Sequence, residues 1–170
     1  MSTLQISFPI VQFHQPQGQT NDCAPFTVAI VINALTGENL SGARLAQEMN
    51  RVRLSPRGLP FPVIRRIPNW ATFPWGIADE LGRHGLRARW RLGASENDLL
   101  TALRENRVAL PIVGSLAPLW AHVKILVAHE AARGWGFVDP AQPRAEVIWD
   151  SPQRFALLWG NWGHLLIETV

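Results

Sequence analysis

Gln17-Gly18-Gln19-Thr20-Asn21-Asp22-Cys23 runs directly into Ala24-Pro25-Phe26-Thr27-Val28-Ala29-Ile30-Val31-Ile32-Asn33-Ala34-Leu35. The fold of the chain turns on how this stretch is read. From Ala24 to Leu35 almost nothing is polar on any face, and a helix that is apolar all round is a buried one. Asn21 or Asp22 supplies a cap at its start, Pro25 fits a first turn whose N–H groups lack intrahelical partners, and Gly37 ends it. The β-branched Val28, Ile30, Val31 and Ile32 would suit a strand equally well, so the caps and the length of the run decide for a helix.

Cys23 then falls in the first turn of a buried helix, where backbone N–H groups and the macrodipole stabilise an anion and lower a thiol pKa. It is the only cysteine in the chain, and a lone cysteine is as often a small buried hydrophobe. Gln17, six residues earlier across a loop containing Gly18, shifts the balance. Its amide NH2 can point to where charge develops on a carbonyl oxygen under attack by a thiolate, and with the backbone N–H of Cys23 would form an oxyanion hole. Taken alone, Gln17 is an ordinary solvated glutamine in a segment that also holds Gln12, Gln15 and Gln19.

At 170 residues the chain suits one domain, a helical half over about 1–106 and a sheet half over about 107–170. Charged residues at 17% and hydrophobic residues at 47% describe a chain that is mostly interior and not disordered. One cysteine excludes an intrachain disulfide and a cysteine-based zinc site, and the histidines form no metal-ligand pair, so no metal or cofactor is expected. No apolar run is long enough to span a bilayer, and Met1 to Pro9 lacks the basic region and cleavable apolar core of a secretory signal. A cytoplasmic chain without a membrane span is expected.

Formal net charge is +3, and Lys124 is the only lysine among sixteen basic residues. Arginines cluster at 51, 53, 57, 65 and 66 and again at 83, 87, 89 and 91, which raises the question of a nucleic-acid partner. No binding motif accompanies the charge and prolines interrupt the first cluster. The arginines read as solvated loops and strand faces, with no nucleic acid expected.

Elsewhere, Leu4 to Phe13 reads as a strand or extended arm broken at Pro9. Ser41 caps a helix to about Asn50. Prolines 56, 60, 62, 68 and 74 forbid a long regular element from Arg51 to Pro74, a loop whose Phe61, Trp70 and Phe73 would wall a cleft or pin the loop to the core. Trp75 to His84 reads as a helix with Trp75, Ile77 and Leu81 inward. Leu86 to Leu92 alternates as a half-buried strand. Ser95 and Asp98 form a capping box for a helix to about Asn106. Strands follow at Val108–Ser115, Ala121–His129, Trp135–Asp139, Glu146–Trp149 and His164–Thr169, with a helix from about Ser151 to Leu158. This is an α+β layout.

His122 opens one of these strands and Asp139 closes the next, so an antiparallel hairpin brings them to the same sheet edge within the slack of a bulge or twist. A carboxylate there would hold the imidazole by Nδ1 and leave Nε2 for a thiol. His14 is close in sequence to the proposed site but reads as a solvated loop residue. His84 reads as a helix C-terminal residue, His129 as facing away at the far end of its strand, and His164 as the start of the last strand. Alone, Asp139 is a turn residue before Pro140 and His122 a hydrogen-bonded strand residue.

The order Gln17, Asp22-Cys23, His122 with Val123 to Val127, and Asp139-Pro140 resembles the papain-like cysteine peptidases. It is most similar to the bacteriocin-processing peptidases, cysteine peptidase family thirty-nine, and their stand-alone relatives. Trp149, Phe155 and Trp159 fit the tail pattern of such domains. The match covers roughly the first forty and last fifty residues. Ala24 stands where the family usually has glycine, and the membrane region of transporter-linked members has no counterpart. Ubiquitin-like-protein proteases place their cysteine last, so chain order argues against them. The resemblance implies a papain-like α+β fold with the cysteine helix in the N-terminal half and His and Asp on a C-terminal antiparallel sheet. It implies a thiol-dependent peptidase with Cys23, His122, Asp139 and Gln17 as catalytic residues, no cofactor, and a peptide or protein substrate, for instance a leader ending in two small residues. A catalytically silent peptide-binding module, or an acyltransferase using the same triad, are the alternative readings.

Overall fold

Burying a helix that is apolar on every side requires elements on all of its sides, and the rest of the chain supplies them. The computed structural model describes residues 3–54 and 62–170. The chain opens with β1 (Leu4–Gln5), makes a 3-10 turn at Ile10–Phe13 directly after Pro9, and enters α1 (Cys23–Thr36). Only the part before Pro9 is therefore extended. Val28 to Ile32 of α1 are fully buried, and Gly37 ends the helix at a positive φ of 76°, its N–H bonded to Asn33 O. That left-handed geometry is one glycine adopts without steric cost.

α2 (Gly42–Met49) starts at Ser41, whose Oγ accepts from Arg44 N–H, and packs on α1. Two pairs of two-residue strands follow, β2 (Arg53–Leu54) with β3 (Pro62–Val63) and β4 (Arg66–Ile67) with β5 (Ala71–Thr72). The proline-rich loop has no longer regular element among its described residues. Phe61, expected to wall a cleft, and prolines 56 and 60 lie outside the described residues. α3 (Pro74–Arg83) buries Ile77 and Leu81. Trp75, expected to face inward, is instead 38% exposed and lies flat on Phe73 at a ring separation of 4.5 Å. β6 (Ala88–Arg91) follows. Its apolar face is covered only in its first half: Leu86 and Ala88 pack partly buried against the core, while Trp90 and Leu92 are exposed, at the edge of the sheet. The capping box of Ser95 and Asp98 opens α4 (Glu96–Arg104).

The remaining elements are β7 (Ala109–Leu116), β8 (Leu119–Val123), β9 (Ile125–Glu130), β10 (Gly134–Val138), β11 (Ile148–Asp150), α5 (Pro152–Gly160) and β12 (Leu166–Thr169). They build an eight-stranded sheet in the order β11-β10-β9-β7-β12-β6, with β1 on β9 and β8 on β7; every paired neighbour is antiparallel. β1 and β6 come from before residue 106, so helices and sheet interleave along the chain instead of dividing cleanly near that point.

One expected strand is two. Ala121–His129 breaks at Lys124: β8 before it pairs with β7, and β9 after it takes β10 as its long partner while still meeting β7 at Leu126. The partner strand changes hands at the same level: β7 meets β9 at Ala109 and β8 from Ile112 onward. Pro111 lies between these points and has no N–H to offer a ladder. His122 therefore stands opposite Val113 of β7 and not on the hairpin that leads to Asp139.

The arginines are not simply solvated. Arg65 and Arg66 are buried, Arg65 against Glu80 and Asp79. Arg89, Arg91 and Arg107 converge on Glu168 of β12, itself 1% exposed.

Candidate active site

Cys23 is the first residue of α1 and is half-buried. Asp22 occupies the N-cap position before it but makes no side-chain cap bond; its Oδ1 is taken by the guanidinium of Arg66. The carboxylate that could have filled the end of the helix is thus held to one side. The first-turn N–H groups, which lack intrahelical partners, meet the thiol without a competing anion. α1 lies against β8, where Thr27 Oγ1 donates to Val123 O at 3.5 Å, and this contact sets Cys23 beside His122.

The break at Lys124 does not separate His122 from Asp139. β9 and β10 run out together at Ile125 and Val138, with His122 just before the first and Asp139 just after the second, and the bulge between Gly136 and Phe137 adjusts their level. His122 Nε2 donates to Asp139 Oδ1 at 2.6 Å. The ring is held by Nε2, not by Nδ1 as the sequence reading had it, because the carboxylate approaches from beyond the end of β10. Nδ1 is left for the thiol.

Asp139 is 4% exposed. Its Oδ1 also accepts from Ala141 N–H at 2.8 Å, and Lys124 Nζ stands 3.9 Å from Oδ2. Burial pushes the carboxyl up, but the hydrogen bond and charge of His122, Ala141 N–H and Lys124 outweigh it and leave its pKa below the ordinary value. Burial lowers the His122 pKa, yet its bonds to Asp139 and Cys23 and their charges raise it to about 9. Burial likewise pushes the Cys23 thiol up, and His122, with the N–H groups of Val123 and Ala24, brings it below its usual value. The two shifts are opposite in direction, which is what a thiolate and an imidazolium held together produce.

These groups open into a cleft of about 280 Å³. Gln17, Cys23 and His122 line it together with Trp70, Trp120 and Trp162. Gln17 Nε2 donates to Thr20 O at 2.7 Å while Thr20 Oγ1 donates to Gln17 O at 2.9 Å, so the amide is fixed in a local turn. A glutamine amide has two N–H donors, and this bond uses one. Among the described residues Gln17 Oε1 is buried and has no hydrogen-bond partner. The loop is pinned to the acidic side of the site, since Gln17 N–H donates to Pro140 O at 2.8 Å and His14 Nε2 lies 3.1 Å from Asp139 O. His14 is therefore part of the scaffold, not a solvated loop residue.

A solved structure has the same fold. The crystal structure described as a "putative C39-like peptidase from Bacillus anthracis" superposes with a TM-score of 0.72 over 98% of this chain and 97% of that one, at 14% sequence identity. The likeness is one of fold. No family model matches the sequence, and no curated protein sequence matches it. Among the described residues no helix is long and apolar enough to cross a membrane. No group of three or more His, Cys, Asp or Glu among them is placed to hold a metal ion.

The sequence reading singled out Gln17, Cys23, His122 and Asp139; the first three line one cleft, and Asp139 is buried behind His122 on its Nε2. That reading missed Arg66, Lys124 and the ties of His14. Lys124 carried a signal, being the one lysine in an arginine-rich chain. Arg66 carried none, because its partner Asp22 is 44 residues away. The remaining histidines stand elsewhere: His84 beside Glu38 at 3.0 Å, His129 against the Trp135 ring, and His164 edge-on to Trp159.

Proposed function

We propose that this chain is a single-domain, papain-like cysteine peptidase. The observation that carries the reading is the line from Cys23 through His122 to Asp139, with Nε2 bound at 2.6 Å and the thiol and imidazole each shifted to favour its own charged form. In this reading the Cys23 thiolate attacks a peptide carbonyl, and the new oxyanion is met by the Cys23 backbone N–H and the second N–H of Gln17. The C–N bond breaks as His122 delivers its proton to the leaving amine. His122 then takes a proton from water, which attacks the thioester and frees Cys23. Asp139 holds the imidazole in register and stabilises its charge. The fold shared with a protein described as a C39-like peptidase supports a peptide as the acyl donor.

The test is a peptide-library digest read by mass spectrometry, with intact mass of the protein followed in parallel. The expected result is cleavage together with a transient acyl adduct on Cys23, both lost in Cys23→Ala while the thermal midpoint stays within a few degrees. Cleavage that survives Cys23→Ala would overturn the proposal. An adduct that passes to an added amine in preference to water would favour acyl transfer.

A further inference from the structure

The charged line of the site does not stop at Asp139. Lys124 is 8% exposed and stands at the point where β8 gives way to β9. Its Nζ lies 2.8 Å from Asp150 Oδ2 and 3.9 Å from Asp139 Oδ2, with the Phe137 ring beneath it at 5.4 Å. Asp150 in turn meets Arg154 Nε at 3.4 Å. Charges therefore alternate from α1 to α5: Cys23, His122, Asp139, Lys124, Asp150, Arg154. A lysine buried this deeply costs free energy unless its charge is paired, and here one carboxylate would have sufficed. The second one it approaches is the partner of His122, on the oxygen that His122 and Ala141 leave open.

We propose that Lys124 is a positioning residue for the Cys23–His122–Asp139 site, holding Asp139 ionised and turned so that Oδ1 faces Nε2. The inference rests on the peptidase reading of that site. Every other basic position in the chain is arginine. An ammonium is a compact donor that fits between two carboxylates where a planar guanidinium fork would demand a different geometry. The groups facing Asp139 are His122 from β8, Lys124 from the β8–β9 link and His14 from the 3-10 turn. Asp150 of β11 and Arg154 of α5 stand behind Lys124, and Cys23 of α1 lies beyond His122. Removing the positive charge of Lys124 raises the pKa of each titrating neighbour, since the protonated form loses a repulsion and the ionised acids lose an attraction. The thiolate-forming limb and the imidazolium-losing limb should therefore move in the same, alkaline, direction.

The experiment is the pH profile of iodoacetamide alkylation of Cys23 in wild type and in Lys124→Met, which keeps the apolar stem. It needs no substrate. The expected result is an alkaline displacement of the low-pH inflection by about one pH unit, with alkylation at that inflection several-fold slower. Where the single variant does not fold, Lys124→Met with Asp150→Asn removes the buried pair together and should keep a smaller displacement of the same sign. A folded variant whose profile superposes on wild type, with only its melting temperature lowered, would make Lys124 a packing residue and overturn the inference. A wild-type profile without any depressed inflection would overturn the peptidase reading itself.

Discussion

Asp22 directly precedes Cys23 at the start of α1, yet its carboxylate is bound to Arg66 and not to the helix. The arrangement keeps a negative charge in the motif while holding it away from the first-turn N–H groups, which are left to face the thiol.

Arg66→Met should release that carboxylate. Asp22 would then turn to the open end of α1 as an ordinary cap, and the Cys23 pKa should rise, moving the low-pH inflection of the alkylation profile to higher pH. Asp22→Asn in the same background should restore the inflection. Arg66 also donates to Ala46 O, so the single change should cost about 3 kcal/mol of stability, measured by urea unfolding. An inflection unmoved in a folded Arg66→Met protein would count against this account of Asp22.

The ion pair also makes a prediction about stability and pH. His122, raised to about 9, contributes stability that is fully present below its unfolded value of about 6.5 and lost as pH rises through 9. Cys23, lowered, contributes stability that is present above its unfolded value of about 8.5 and lost as pH falls through its folded one. From about pH 6.5 to 8.5 the folded pair binds one proton and so does the unfolded chain. Their contributions cancel, and the pair adds no slope there. Cys23→Ala removes the bond and charge that Cys23 contributes to His122, so the imidazole should then lose its proton at a lower pH than in the wild type. NMR titration of the His122 ring in both proteins would show it; an unchanged titration would mean that Cys23 and His122 are not an ion pair.

Gln17 separates the oxyanion from the nucleophile. Gln17→Ala should lower kcat for peptide cleavage by about 10²–10³-fold. Alkylation by iodoacetamide, a displacement at a saturated carbon that builds no oxyanion, should proceed at the wild-type rate. A loss of both would show that Gln17 acts only by holding the loop.

Glu168 offers a control remote from the chemistry. It is buried among Arg89, Arg91 and Arg107, and Glu168→Gln removes the carboxylate they share, leaving Arg91 its bridge to Asp98 and Arg107 its bridge to Glu105. The expected cost is about 3–5 kcal/mol in urea unfolding, with the Cys23 alkylation profile unmoved. A shifted profile would mean that the far edge of the sheet is coupled to the site.

What could be read in the sequence is what is decided locally. The apolar run of α1, its stop at Gly37, and the caps at Ser41 and Ser95 depend on residues within a turn or two, and each stands where expected. The four candidate residues could be singled out because a lone cysteine, a strand histidine, an Asp-Pro and a glutamine ahead of the cysteine stand in telling positions. The strand break at Lys124 was not legible, because it follows from a change of partner on β7 around Pro111, and pairing is a property of two segments. The inward turn of Arg66 and the outward turn of Trp75 were missed for the same reason: apolar periodicity says which face of an element is greasy, not what comes to cover it.

The stitching around the cleft has one further consequence. Backbone groups of Asp139 and Pro140 are tied to His14 and Gln17, Asn21 Nδ2 donates to Asn69 O beside Trp70, and Trp162 Nε1 donates to Trp120 O. Each rim is therefore anchored to a segment distant in sequence. The recess is shaped before anything enters it, so a guest is sorted by fit at the moment of contact, and little ordering of the host stands between encounter and the bound state.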